Sequence, residues 1–178
     1  MLARVNQERA KKKLPALIMN SKLQAAAQRQ ADDMADKAFM SHKGSDGSTM
    51  KQRVVATGFT GGGMAENVAS GQKTVDEVVD SWMKSSGHRR NILGGYTVFG
   101  AAYAHNANGK YKHYWTQVFG KGGEDGDDVA SIPWSSTGHE FGPEQPGHEE
   151  DAGMTRQHHG KEDTVEVVTC VGCWCWWR

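Results

Sequence analysis

Cysteine is absent from the first 169 of the 178 residues, and the three present stand at Cys170, Cys173 and Cys175. Whatever folds before them does so without a disulfide, and an odd count crowded into one short stretch makes no framework of its own. Long apolar runs are absent as well. Nothing approaches the roughly 18 consecutive apolar residues of a membrane-spanning helix. Nor is there an excess of charge, since 21 Lys and Arg balance 21 Asp and Glu, which argues against a chain built mainly to hold nucleic acid. The balance hides a division. Residues 1–120 carry 17 basic and 9 acidic side chains, a net of +8, whereas residues 121–178 carry 4 and 12, a net of −8. Two kinds of polypeptide are joined.

A secretory leader is also missing. Met1-Leu2-Ala3-Arg4-Val5-Asn6-Gln7-Glu8-Arg9 is helix-like from its first residue and has neither the apolar run nor the small-residue cleavage site of an export signal. Taken literally, the chain stays in the cytosol; the alternative is a true start upstream of Met1.

Periodicity marks out the first part. Residues 2–11 are rich in helix formers and end before Pro15. From Ser21, read as the N-cap, Leu23, Ala27, Ala31, Met34 and Ala38 recur at three- and four-residue steps, predicting a helix of about 18 residues with a small-residue face. A short helix around Met50, Arg53 and Val54 is expected next, closed by Gly58. Gly61-Gly62-Gly63 reads as a flexible loop leading into Glu66-Asn67-Val68-Ala69. Thr74-Val75-Asp76-Glu77 matches a capping box, so a helix starts at Thr74 with Val75, Val78, Val79, Trp82 and Met83 as its apolar stripe; it breaks at Ser86-Gly87. Val98–Ala104 and Tyr111–Phe119 read as two strands joined through Asn108-Gly109, a hairpin signal. Neither face of the second strand is wholly polar, which predicts a sheet covered by helices on both sides: an α/β, three-layer α-β-α sandwich.

Past Gly120 the periodicity stops. Gly, Pro, Asp, Glu and His dominate residues 121–178, a composition that buries too little apolar surface to order itself, so a disordered C-terminal tail is expected. Its Cys170-Val171-Gly172-Cys173 element needs a second pair, or nearby His, to complete a zinc site, and the favoured reading is a tail end with adventitious thiols. His139-Glu140 and His148-Glu149 do not continue to HExxH, and Asp125, Asp127 and Asp128 are too irregular for a calcium loop. Trp82 and Trp115 fall on apolar faces and are assigned to the core.

Three polar residues, His42, Glu66 and His88, are expected where regular elements meet loops. Imidazoles and a carboxylate delivered from separate segments can converge on a divalent cation or act as acid–base groups. The bland readings are a surface His42 in a turn and a His88 that ends the Trp82 helix.

The strings Ala65-Glu66-Asn67-Val68-Ala69-Ser70-Gly71 and Ser81-Trp82-Met83-Lys84-Ser85-Ser86-Gly87-His88-Arg89-Arg90-Asn91-Ile92-Leu93 resemble the CAP superfamily. That superfamily spans cysteine-rich secretory proteins, antigen 5 and pathogenesis-related 1 proteins, and bacterial SCP-like extracellular domains. Val5-Asn6-Gln7-Glu8-Arg9, Met40-Ser41-His42, Tyr96-Thr97-Val98-Phe99-Gly100 and Tyr114-Trp115-Thr116-Gln117-Val118-Phe119-Gly120 follow the family's order, so the likeness spans residues 2–120. Without domain cysteines, the chain is similar to the disulfide-free bacterial branch. The resemblance implies a sandwich with a central cleft lined by two His and usually two Glu, which in some members takes zinc or another divalent metal. His42 and His88 match the two His and Glu66 the first Glu. The second Glu has no counterpart, because Met83, Lys84 and Ser85 follow Trp82 and capping accounts for Glu77. Asn67 and Arg89 are expected to support the cleft, Asn67 by fixing the Glu66 loop through backbone hydrogen bonds and Arg89 by pairing with a carboxylate or a helix end.

The function the resemblance implies is a secreted binding module for a small hydrophobic ligand, a sterol or a fatty acid, with a divalent-metal cleft that the fold does not require. It is expected to be monomeric, without nucleic-acid partners, possessing no transmembrane segment, and acting in host–microbe encounters. Extracellular location follows from the family and calls for a start lost upstream. Two alternatives stay open: a metal-dependent hydrolase with His42 and His88 as ligands and Glu66 activating water, and an interaction protein that works through its acidic, Trp-containing tail.

Overall fold

The structure, a computed structural model, describes residues 1–122. The expectations for the tail, including its disorder and its Cys and Trp cluster, lie outside the described residues. The elements run α1 (Leu2–Ala10), β1 (Ile18–Met19), α2 (Ser21–Asp36), α3 (Met50–Ala56), β2 (Gly62–Ser70), α4 (Val75–Lys84), α5 (Ser86–Ile92), β3 (Val98–His105) and β4 (His113–Lys121). Four strands form one sheet in the order β1-β3-β4-β2. β1 lies parallel to β3, and β4 is antiparallel to both β3 and β2.

Helices cover both faces, as the doubly apolar β4 predicts. Strand alternation sends Phe99, Trp115, Phe119 and Ala69 to one side, where they pack with Val5 of α1, Val78, Val79 and Trp82 of α4, and Ile92 of α5. Val98, Ala102 and Val118 point the other way, onto Leu23, Ala26, Ala27 and Ala31 of α2 and Val54 of α3. The small-residue face of α2 lets its backbone lie close to the sheet. Gly100 makes that approach possible, since an added Cβ would stand 2.2 Å from the Leu23 carbonyl carbon. Trp82 and Trp115 are core residues, 1% and 6% exposed.

Local chemistry sets the helix ends. Asn20, not Ser21, caps α2: its side chain accepts from the Leu23 N–H at 3.0 Å, while Ser21 is already helical. The helix stops at Asp36 in a Schellman motif, with Phe39 N–H donating to Met34 O, Ala38 N–H to Ala35 O, and Ala38 at φ +52° in a position glycine usually takes. α3 carries a full capping box, Thr49 with Gln52. Gly58 follows its C-cap at φ +78°. At α4, Thr74 caps Glu77 N–H as expected, but the Glu77 carboxylate reaches back to Lys73 N–H instead of Thr74 N–H.

Besides β1, which the sequence reading did not contain, three segments differ from it. Gly62–Ser70 is strand, with a register shift between Gly62 and Ala65, so Glu66 sits within an edge strand and not in a loop. The Trp82 helix ends at Lys84 with Ser85 extended, close to the expected break, but the chain then re-enters helix instead of a loop: α5 begins at Ser86 and carries His88. The hairpin link is seven residues long, 106–112, and is organised by Asn106, whose Oδ1 accepts from the Asn108 and Gly109 N–H groups while its Nδ2 donates to Ala35 O. Among the described residues no helix is long and apolar enough to cross a membrane.

Candidate functional site

Glu66 is carried by β2, where alternation turns its side chain toward the α2 and α3 side, in register with Val118. Burial of a carboxylate is costly without partners, and Glu66 has two. Its Oε2 accepts from Arg53 Nη2 at 2.7 Å, in a pair whose side chains are 1% and 2% exposed. Its Oε1 meets His42 Nδ1 at 2.9 Å. Both carboxylate oxygens are therefore engaged.

His42 comes from the segment between α2 and α3, and hydrogen bonds from the core fix that segment. Gln30 Nε2 donates to Ser41 O, and Arg53 donates to His42 O and to Ser48 O, both at 3.1 Å. One guanidinium thus holds the carboxylate that orients the His42 ring and the backbone that carries it. With Nδ1–H donating to the carboxylate, the lone pair of Nε2 faces away from Glu66, the arrangement found behind metal-ligating histidines. The ring itself is partly open, with a side chain 38% exposed.

His88 arrives from the opposite side of the edge strand, on α5. Asn67, paired in register with Gln117, donates to His88 O at 3.3 Å and to Gln117 Oε1 at 3.1 Å, and accepts from Asn91 Nδ2 at 2.8 Å. Asn91 also donates to Glu66 O, so α5 is fastened along β2 by amide side chains. Burial, and then the nearby His42, push the His88 imidazole below its ordinary pKa. The shift favours the neutral form of the ring. Arg89 donates to Met83 O in the last turn of α4, the helix-end pairing expected of it.

His42 and Glu66 are thus in direct contact, and His88 lies within electrostatic reach of His42. Asn67 steadies a strand and the helix across from it, where sequence analysis expected a loop. Arg53, Asn91 and Gln117 are the parts that sequence reasoning missed. The one signal for Arg53 was a guanidinium on the apolar side of a short helix, next to Val54. Two neutral-capable imidazoles, one tethered through Nδ1, suit a borderline divalent cation with water completing its shell.

Residues 2–119 match the family model described as the cysteine-rich secretory protein family, CAP. The uncharacterized protein YkwD of Bacillus subtilis is 35% identical over 115 residues, which cover 64% of this chain and 43% of YkwD. The chain thus spans less than half the length of that curated relative. Among solved structures, an outer surface protein of Borrelia burgdorferi aligns with a TM-score of 0.60 at 21% identity, over 67% of this chain and 88% of that one. An extracellular SCP-domain protein of Bacillus anthracis aligns at 0.60 and 24%, over 68% of this chain and 39% of its own. At such identities the structural likeness speaks for the fold.

Proposed function

The chain belongs to the cysteine-rich secretory protein (CAP) family, and from that premise we propose that it is an extracellular binding module. In this reading the cleft takes a divalent cation on His42 and His88, and the wider domain takes a small hydrophobic molecule, a sterol or a fatty acid. The observation that carries it is the state of Glu66. Both of its oxygens are engaged, by Arg53 and by His42, so it serves as the holder of the His42 ring.

A divalent cation bound here would supply Lewis acidity and a water of lowered pKa. His42 contributes a ring fixed in one orientation by Glu66. His88 contributes a ring kept neutral by burial. Arg53 keeps the carboxylate and the His42 backbone in register. An extracellular setting is supported by the likeness to the outer surface protein of Borrelia and the extracellular SCP-domain protein of Bacillus anthracis. The hydrophobic ligand rests on the family likeness, and a role in host–microbe encounters rests on it too.

The hydrolase reading asks Glu66, already bound to Arg53 and His42, to accept a proton from water as well. Two assays on the full chain separate the readings. Incubation with sterol- or fatty-acid-loaded vesicles should leave lipid co-purifying with the protein. Ester and peptide hydrolysis with added Zn²⁺ should stay at background for wild type and for His88→Ala alike; turnover that wild type has and His88→Ala loses would overturn the binding reading.

A further inference from the structure

A second pair of imidazoles stands at the hairpin end of the sheet, on the face opposite Glu66. His105 and His113 are register partners at the hairpin end of β3 and β4, with ring centroids 5.1 Å apart. His113 lies five residues along β4 from Val118, the partner of Glu66, a separation of roughly 17 Å at about 3.4 Å per residue. It is also on the Trp115 and Phe119 side, away from the side Glu66 faces. The pair is therefore separate from the His42 cleft.

Packing does not require two imidazoles here. His105 is exposed and His113 half-buried. Cross-strand pairs of like charge weaken a hairpin, so protonation of both rings would cost stability with no compensating burial. What the site offers is ligand geometry. Tyr103 Oη lies 2.8 Å from His113 Nδ1, and its ring stacks beside that imidazole while resting on Trp115 at 4.5 Å between centroids. A hydrogen bond on Nδ1 fixes the ring plane, and when Nδ1–H is the donor it leaves the Nε2 lone pair for a metal. His105 is the exposed partner, and bonds of about 2.0–2.1 Å would bring both rings onto one ion. Imidazole pairs suit Zn²⁺, Ni²⁺ and Cu²⁺.

We propose that His105 and His113 form a two-imidazole site for a borderline divalent transition metal, with Tyr103 as the positioning residue for His113 and water completing the coordination. The surrounding charges are Lys73, Lys112 and Glu77. Burial first, then His105 and Lys73, lower the His113 pKa, while Glu77 opposes them.

The test is a Ni²⁺ titration of the ¹⁵N-labelled full chain at pH 7.5, read residue by residue from amide line broadening. Broadening is expected over residues 103–105 and 113–115, in wild type and equally in the His42→Ala/His88→Ala double variant. His105→Ala and His113→Ala should each abolish it there. Tyr103→Phe should raise the half-saturating Ni²⁺ concentration about tenfold, the scale of a lost outer hydrogen bond, with the amide spectrum of the rest of the domain unchanged. Broadening confined to His42 and His88 or to the His and Cys residues beyond 122 would overturn the proposal. So would broadening at 103–115 that survives both His105→Ala and His113→Ala.

Discussion

Arg53 and Glu66 make the strongest quantitative prediction. Their side chains are 1% and 2% exposed and meet at 2.7 Å, so neither has water to fall back on. Arg53→Met removes the cation and leaves a buried carboxylate with His42 as its remaining partner; breaking such a pair from one side costs about 3–5 kcal/mol. Glu66→Leu strands the guanidinium, but Arg53 keeps its bonds to His42 O and Ser48 O, so the cost falls toward about 3 kcal/mol. The double variant removes both charges together. Replacing a whole buried pair by apolar groups is close to neutral, and with the two carbonyl contacts also lost the double variant should stay within about 2 kcal/mol of wild type. Urea unfolding of the four full-length proteins, followed by tryptophan fluorescence, measures the cycle. The double variant should be more stable than either single one. Additivity within about 0.5 kcal/mol would mean that the two groups do not interact across a dry contact, and the account of how His42 is positioned would fail.

Three further outcomes follow from the same coordinates. The His88 imidazole is held below its ordinary 6.5 by burial and then by His42; the unfolded chain therefore takes the proton first, so this contribution is whole above about pH 6.5 and drains away as pH falls below it. In a histidine NMR titration, His42→Ala should raise the His88 midpoint, and an unmoved midpoint would separate the two rings. Gly100→Ala drives a Cβ into the α2 backbone at Leu23 and Gln24, and a loss of about 3 kcal/mol or more in urea unfolding is expected, because backbone cannot rotate aside. Ala38→Gly relieves the left-handed C′ position of α2 and should raise stability by about 0.5–1 kcal/mol; a loss would show that Ala38 contributes something beyond the cap.

Much of the fold was legible because burial leaves a periodic trace. The stripe from Leu23 to Met34, the cap at Thr74 and the doubly apolar β4 led directly to helices on both faces of a sheet. β2 was hidden for the same reason that β4 was informative. It is covered on both sides, so Ala65, Asn67 and Ala69 face one layer and Glu66 and Val68 the other, and no polar–apolar alternation survives. β1 has two residues, Ile18 and Met19, and is held by β3, which no local signal reports. At the site, the family motifs single out His42, Glu66 and His88, but they do not say who holds them. Arg53 and Asn91 escape because charged and amide side chains are exposed by default, and their burial follows only from partners far along the chain. Arg9 is the same case: 1% exposed, it fastens Pro15, Ile92 and Gly94 carbonyls that no pattern connects.

The claim that His42 and His88 act together on one cation is tested most directly by a Zn²⁺ titration of the ¹³C-histidine-labelled full chain, following the two rings individually. The account predicts that both signals shift with one shared midpoint, and that His42→Ala and His88→Ala each abolish the response of the surviving ring. A His88 signal that answers Zn²⁺ in the absence of His42, with the same midpoint as wild type, would contradict it.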